Sequence, residues 1–93
     1  MRRVLIQSPA FIRSAKRFVK KQPGALQSIR QTLIQLQADA FSAGLRTHKL
    51  KGDLSGCWSS NAGYDLRIVF QFVRHGGSEA ILLLSVGTHD EVY

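Results

Sequence analysis

Three side chains in this sequence are suited to acid–base chemistry near neutral pH: His48, Asp65 and His89. Histidine titrates in the physiological range without any perturbation, so two histidines can supply a proton donor and a proton acceptor for phosphodiester cleavage. In RNA the ribose 2′-hydroxyl can itself attack the phosphorus. The reaction then needs a base for that hydroxyl, an acid for the leaving 5′-oxygen and groups that hold the phosphate. These residues are therefore candidate catalytic groups for cleavage without a metal or other cofactor.

Arg67 and Tyr93 are suited to hold a nucleic acid beside these groups. Arg67 stands two residues after Asp65, so both side chains are expected on one face of a strand, where a guanidinium can hold a phosphate. The phenol of Tyr93 could stack on a base or donate a hydrogen bond.

Each of these residues also has a purely structural interpretation. His48 is the kind of residue found exposed in surface loops, and His89 could cap a strand end. Asp65 and Arg67 could be a same-face pair at the start of a strand, and a residue near a terminus, such as Tyr93, is often disordered. Residue types and spacing alone favour a basic RNA-binding domain over a nuclease.

No metal site is expected. His48, Asp65 and His89 are far apart in the sequence, and no histidine pair has the spacing of His-x-x-x-His. The single cysteine, Cys57, excludes an internal disulfide and a cysteine metal cluster, and it is expected to be a small core or sheet residue.

The charge is concentrated in one half of the chain. Residues 1–50 carry ten Lys or Arg and one acid, a formal charge of +9, whereas residues 51–93 carry −2. Such a basic half suits a polyanion such as RNA or DNA, and an acidic protein segment would also satisfy it.

The length of 93 residues predicts one domain, residues 1–93, with one hydrophobic core. No stretch reaches the roughly 18 to 20 apolar residues of a membrane span, and the apolar stretch near the N-terminus is too short for a secretory signal. A cytoplasmic protein without a membrane partner is expected.

The pattern of the C-terminal half predicts β-strands. Residues 64–73 alternate, with Leu66, Ile68, Phe70 and Phe72 on one face. A turn containing Gly76 and Gly77 leads into residues 80–86, whose unbroken apolar run predicts a central strand covered on both sides. A short polar tail follows. Residues 57–60 are expected to form a short strand, with a turn at residues 61–63.

The N-terminal half predicts a strand at residues 2–7 and two helices. Ser8 and Pro9 favour the start of the first helix, and the second is expected over residues 25–40. Each helix is predicted to have one apolar stripe: Phe11, Ile12, Ala15, Phe18 and Val19 in the first, and Leu26, Ile29, Leu33 and Leu36 in the second. The first helix also has an exposed basic ridge, formed by Arg13, Lys16, Arg17 and Lys20. Residues 41–56 are expected to be a loop. The predicted class is α+β, in the order β-α-α-β-β-β, with a helical hairpin packed on one face of an antiparallel sheet.

Four segments resemble a known family: HKLKG (48–52), GCW (56–58), YDLRIVF (64–70) and LLLSVGTHDEVY (82–93). Together they resemble the RelE/ParE superfamily of bacterial type II toxin–antitoxin toxins, in particular its YafQ-like branch. The resemblance implies a ribosome-dependent endoribonuclease, an mRNA interferase that inhibits translation. It also implies a cognate antitoxin, with operator DNA reached only through the antitoxin complex.

The resemblance carries roles to particular positions. His48 matches the histidine of the family's His-x-Leu-x-Gly, and His89 that of Gly-Thr-His. Asp65 matches the aspartate before the long strand. Tyr93 matches an aromatic that ends the last motif, and Arg67 matches a strand arginine that contacts the scissile phosphate in the RelE branch.

Other positions depart from the pattern or extend it. Asn61 and Leu66 stand where the YafQ-like pattern has a histidine and a tryptophan. Asn61 could still hydrogen-bond the phosphate or ribose, and Lys49 and Lys51 are expected to help hold the phosphate.

Two alternatives use the same fold. One is a non-catalytic toxin of the ParE type that binds DNA gyrase, although a pure binder has no need of histidines and Asp65 at strand ends. The other is an inactive domain that serves only as antitoxin partner and co-repressor, which Asn61 would favour.

Overall fold

The structure, a computed structural model, describes residues 2–93. Its elements are β1 Val4–Gln7, α1 Pro9–Lys21, α2 Ala25–Ala38, β2 His48–Lys49, β3 Trp58–Gly63, β4 Leu66–His75, β5 Ser78–Gly87 and α3 His89–Val92. Single 3₁₀ turns lie at Ala43–Leu45 and Gly52–Leu54. The predicted α+β class is confirmed, with one more strand and one more helix than expected.

The five strands form one mixed sheet in the order β1-β5-β4-β3-β2. Neighbours from β2 to β5 are antiparallel, but β1 pairs with β5 in parallel. The prediction of an antiparallel sheet is therefore wrong for β1. Short turns force β2 to β5 into antiparallel pairs, whereas the long connection through the helices leaves β1 free to run parallel.

The hairpin of β4 and β5 forms as predicted. His75 pairs with Ser78, and the two residues between them, Gly76 and Gly77, have φ values of 59° and 79°. Such left-handed values suit a two-residue hairpin turn and are accessible to glycine without strain. β4 begins at Leu66, two residues later than expected.

The two long helices cover one face of the sheet. Their apolar side chains and those of the sheet form one core, which includes Phe11, Ile29, Leu36, Ile68, Phe70, Ile81 and Leu83. Two residues of the predicted stripes, Ile12 and Leu26, are each 38% exposed. The central strand is β4 rather than β5, and Leu82 of β5 is only half-buried. The prediction that this strand is covered on both sides is therefore wrong, because helices α1 and α2 pack on one side alone.

The capping of α1 follows the sequence prediction. The Oγ of Ser8 accepts a hydrogen bond from the backbone N–H of Phe11 at 3.0 Å, and Pro9 occupies the first turn. The four residues of the basic ridge are all exposed. None of the helices within residues 2–93 is long and apolar enough to cross a membrane.

The middle of the chain is more ordered than its composition indicates. The expected loop of residues 41–56 contains β2, and the expected turn of residues 61–63 belongs to β3. β2 has only two residues and is defined by its pairing with β3, in which His48 pairs with Ser59 and Lys49 with Trp58. Cys57 is buried as predicted.

Candidate functional site

One face of the sheet lies opposite α1 and α2, and we call it the open face. In the register of the sheet Asn61 pairs with Arg67, and Arg67 pairs with Gly87. Because side chains alternate between faces and Ala62 belongs to the core, Asn61 and Arg67 are side by side on the open face. This part of the predicted site is assembled by strand pairing alone.

The last helix, α3, brings the C-terminal residues to this face. The hydroxyl of Tyr93 donates a hydrogen bond to the Oγ of Ser59, which is fully buried in β3. The rings of Tyr93 and His89 meet edge to face, with centroids 4.5 Å apart. The C-terminal tail, for which the sequence predicted only a short polar segment, is therefore folded and forms part of the site.

Asp65 connects this helix to the turn between β3 and β4. Its Oδ1 accepts a hydrogen bond from the backbone N–H of His89 at 3.2 Å. Asp65 lies before the strand in a left-handed conformation, with φ of 50°. The prediction that Asp65 and Arg67 share a strand face is wrong, because strand alternation does not extend into the turn; what joins Asp65 to the site is its contact with α3.

His48 reaches the same group of residues from the edge strand. It is the register partner of Ser59, so both side chains are on the open face. Its Nδ1 lies 2.9 Å from the carbonyl oxygen of Arg46. Because a carbonyl only accepts, this hydrogen bond requires the proton on Nδ1 and leaves Nε2 of the neutral ring free to take another.

Strand pairing and side-chain contacts connect these residues in a series through Ser59, the step from His48 being the pairing of β2 with β3. His48 pairs with Ser59, Ser59 is bonded by Tyr93, the ring of Tyr93 contacts His89, and the backbone of His89 is bonded by Asp65. Four residues from three separate parts of the chain are thus brought to one end of the open face. No group of three or more His, Cys, Asp or Glu side chains within residues 2–93 is placed to hold a metal ion.

Arg67 is half-buried beside this series. Its Nη1 donates to the carbonyl oxygen of Leu66 at 3.1 Å and lies 3.5 Å from that of Gly63. The guanidinium therefore braces the turn that carries Asp65. A guanidinium has five N–H donors, so others remain for a phosphate.

Lys49 is not brought to this site. It follows His48 in β2 and so points to the opposite face, where its Nζ lies 5.5 Å from the centroid of the Trp58 ring. Lys51 is exposed in the segment just before the second 3₁₀ turn. The roles predicted for these lysines stay predictions, without the support that the geometry gives to Arg67 and Asn61.

A capping box holds α3 in place. The Thr88 side chain accepts from the backbone N–H of Glu91, and the Glu91 carboxylate accepts from the backbone N–H of Thr88 at 2.8 Å. The hydrogen bond from the Thr88 backbone lowers the pKa of Glu91 below its ordinary value of 4.5. Desolvation opposes this effect, while the Thr88 hydroxyl and the positive charges of Lys21 and Arg17 reinforce it.

Sequence analysis missed two contributors to the site. The pattern Thr-x-x-Glu at Thr88 and Glu91 is a recognisable signature of a helix start, so the capping box could have been found. Ser59 had no signal, because its role depends on a hydrogen bond from a residue 34 positions away.

This chain matches known proteins in its structure and not in its sequence. No protein-family model matches the sequence, and no curated protein matches it at a significant level. YafQ from Escherichia coli strain BL21(DE3) superposes with a TM-score of 0.79 and 14% identity over 98% of each chain.

Two further solved structures agree. The DinJ-YafQ toxin–antitoxin complex of E. coli gives a TM-score of 0.77 with 15% identity, covering 100% of this chain and 99% of the other. A YoeB/ParE toxin from Agrobacterium tumefaciens gives 0.75 with 16% identity, covering 92% and 98%. The chain therefore has the fold of the RelE/ParE class of toxins. Within that class its structural neighbours include YafQ, which confirms the fold that the sequence resemblance implied.

Proposed function

We propose that this chain is the toxin of a toxin–antitoxin pair and that it cleaves mRNA on the ribosome, in the cytoplasm, as a metal-independent endoribonuclease. The observation that supports this proposal is the series of contacts that joins His48, Tyr93, His89 and Asp65 through Ser59. A binding surface alone would not need two imidazoles at one end of a sheet face. The toxin fold of the solved neighbours agrees with it.

The cleavage is a transesterification within the RNA. One imidazole accepts the proton of the ribose 2′-hydroxyl, whose oxygen attacks the phosphorus, and the other donates a proton to the departing 5′-oxygen. The bond from phosphorus to the 5′-oxygen breaks as the new bond forms. The products are a 2′,3′-cyclic phosphate and a 5′-hydroxyl, and no water is consumed.

The remaining groups position the histidines and stabilise the charge that develops on the phosphate. Arg67 and Asn61 are side by side on the open face and hold the phosphate as negative charge develops. Asp65 fixes the backbone of His89, and Tyr93 keeps α3 against Ser59. The exposed basic ridge of α1 contacts ribosomal RNA.

Cleavage by the histidine variants tests the proposal. The purified chain is added to ribosomes translating a defined mRNA, and primer extension locates the cuts. The wild type should cut at codon-linked positions and leave 5′-hydroxyl ends, and a 2′-deoxy nucleotide at the cut site should stop the reaction. His89→Ala and His48→Ala should each lower the rate by roughly a hundredfold or more without loss of fold, since one proton-transfer group is worth about 10²- to 10⁴-fold.

Two results would contradict the proposal. Cleavage that persists in both histidine variants would eliminate this site. Inhibition of gyrase supercoiling by the purified chain without any mRNA cleavage would favour a non-catalytic toxin instead.

The proposed partner is a cognate antitoxin, as in the solved complex of DinJ with YafQ. Its acidic segment would contact the basic half of the chain and so compete with RNA. Operator DNA would be bound through the antitoxin, since the toxin needs no DNA contact of its own.

A further inference from the structure

Tyr64 occupies an unusual position for an aromatic residue. It lies on the turn between β3 and β4 with a relative exposure of 102%, the highest of the large apolar residues in the described chain. Tight turns are mostly built from Gly, Asn, Asp, Ser and Pro. Within residues 2–93 its ring makes no aromatic contact and its hydroxyl no hydrogen bond. Packing therefore does not explain this side chain.

Single exposed aromatics are common on proteins, so the placement of Tyr64 carries the inference. The next residue is Asp65, whose carboxylate holds the backbone of His89. Consecutive Cα atoms are about 3.8 Å apart, so the backbone of Tyr64 lies directly beside the residue that holds His89 in the candidate site.

The turn that carries Tyr64 is held in shape from both sides. Arg67 donates to the carbonyl oxygen of Leu66 and contacts that of Gly63, and Asp65 is bonded to α3. The backbone that carries the ring is therefore fixed, and a ligand that orders the ring removes only the rotamer freedom of one side chain.

A cleft lies on the helical side of the turn that carries Tyr64. It is formed between the turn and the connection from α1 to α2, and its lining includes Tyr64, Leu66 and Phe18 together with the polar Gln22 and Ser28. The last turn of α1, just before Gln22, carries the exposed cations Lys20 and Lys21. An aromatic face, hydrogen-bonding groups and nearby positive charge are the combination that single-stranded nucleic acid requires.

We propose that Tyr64 is a nucleobase-stacking residue, which binds a base of the RNA substrate adjoining the scissile phosphate. The inference rests on the proposed function and adds to it a substrate contact on the turn between β3 and β4. The contact is independent of the base identity, because every base has a π-face.

The test compares Tyr64→Ala with Tyr64→Phe in the full chain. Kinetics on programmed ribosomes give kcat and KM separately, and fluorescence anisotropy with labelled single-stranded RNA measures binding without cleavage. Ile34→Ala serves as the control, since Ile34 is a large apolar residue on α2 with 64% exposure.

Tyr64→Ala should raise KM and weaken RNA binding by roughly 5- to 100-fold, the effect of one base–aromatic stack. Tyr64→Phe and Ile34→Ala should stay within about twofold of the wild type, since phenylalanine keeps the π-face. The thermal midpoint should be unchanged in all three, because Tyr64 contributes no packing.

Several outcomes would overturn the inference. Tyr64→Ala with normal KM and normal RNA binding excludes stacking, and a loss in Tyr64→Phe equal to that in Tyr64→Ala assigns the effect to the hydroxyl. Normal cleavage with weakened antitoxin binding makes Tyr64 a protein contact. A wild type that binds RNA through Tyr64 without cutting it would refute the proposed nuclease and keep the stacking site, whereas a wild type that does neither would refute both.

Discussion

At the scale of single residues, the contact between Tyr93 and Ser59 is what completes the site. Ser59 is fully buried, and its hydroxyl accepts the hydrogen bond that fixes the end of α3. Buried polar groups are costly when they lose a partner. Together with the capping box and the Asp65 contact, this hydrogen bond therefore helps to position His89, whose ring contacts Tyr93.

Removal of the Tyr93 hydroxyl should loosen the candidate site without removing either of its imidazoles. In Tyr93→Phe the ring can still contact His89, but the bond to Ser59 is lost, at a cost of about 1 kcal/mol or roughly fivefold in cleavage rate. Ser59→Ala removes the other partner. The double variant should be no worse than either single one when cleavage is measured in a double-mutant cycle. Additive losses would show that the two side chains act separately.

The residue scale is also where the sequence was most informative about chemistry. His48, Asp65, His89 and Tyr93 were selected by type and motif, and the structure links them through one series of contacts. Their mutual arrangement could not be predicted, because it depends on the register of β2 against β3 and on the fold of the tail. Neither is visible in local sequence.

At the scale of elements, α3 is a short helix that depends on its cap. Four residues are too few for a helix to be stable in isolation, so tertiary contacts and the capping box must hold it. Gly87 permits this geometry, because a Cβ at that position would lie 2.9 Å from Oε1 of Glu91. A larger residue before Thr88 would therefore displace the Glu91 carboxylate, which is the group that caps α3.

The cap should make α3 sensitive to acid. The pKa of Glu91 is lowered in the folded protein, so its ionised form stabilises α3 fully above the ordinary value of 4.5. That contribution is lost as the pH falls through the lowered pKa, because Glu91 binds a proton more readily in the unfolded state than in the folded one. The amide signals of Thr88 and Glu91, followed by NMR from pH 7 to pH 2, should report this loss.

Glu91→Gln is the matched control for that titration. Glutamine can occupy the same position of a capping box but carries no charge. The variant should keep α3 at neutral pH and should lose the acid transition at Thr88. A transition of the same size in Glu91→Gln would assign it to another group.

Apart from α3, whose capping signature was present, the element that the sequence did not predict had no local signal. Periodicity and capping residues revealed both long helices, β4 and β5. By contrast, β2 has two residues and exists only because β3 pairs with it, while Asn61 and Gly63 resemble turn residues yet belong to β3. Pairing between distant strands outweighed local composition at both places.

At the scale of the whole molecule, charge and exposed apolar surface meet on the helical side. Lys16 and Lys20 of the basic ridge border a groove between α1 and α2 whose apolar lining includes Ala15, Val19 and Ile29. The open face carries the candidate site on the other side of the sheet. The molecule therefore has two different kinds of surface, a basic and partly apolar one on the helices and the candidate site on the sheet.

Antitoxin binding should weaken as salt is added if charge dominates the complex. The basic half carries +9, and exposed charges are screened over about 10 Å at 0.1 M salt. The dissociation constant should rise roughly tenfold between low and physiological salt, as measured by calorimetry. Lys16→Ala with Lys20→Ala should reduce this salt dependence. Binding that is insensitive to salt would instead point to the apolar groove.

The hydrogen bond between His48 and the carbonyl of Arg46 has a further consequence. Arg46 is in a left-handed conformation, with φ of 50°, and its carbonyl, not a neighbouring acid, decides which nitrogen of the imidazole is protonated. The polypeptide backbone has no charge to lose or gain with pH. The tautomer of the neutral ring is therefore set by the backbone, and a substitution that rotates the Arg46 peptide would change it.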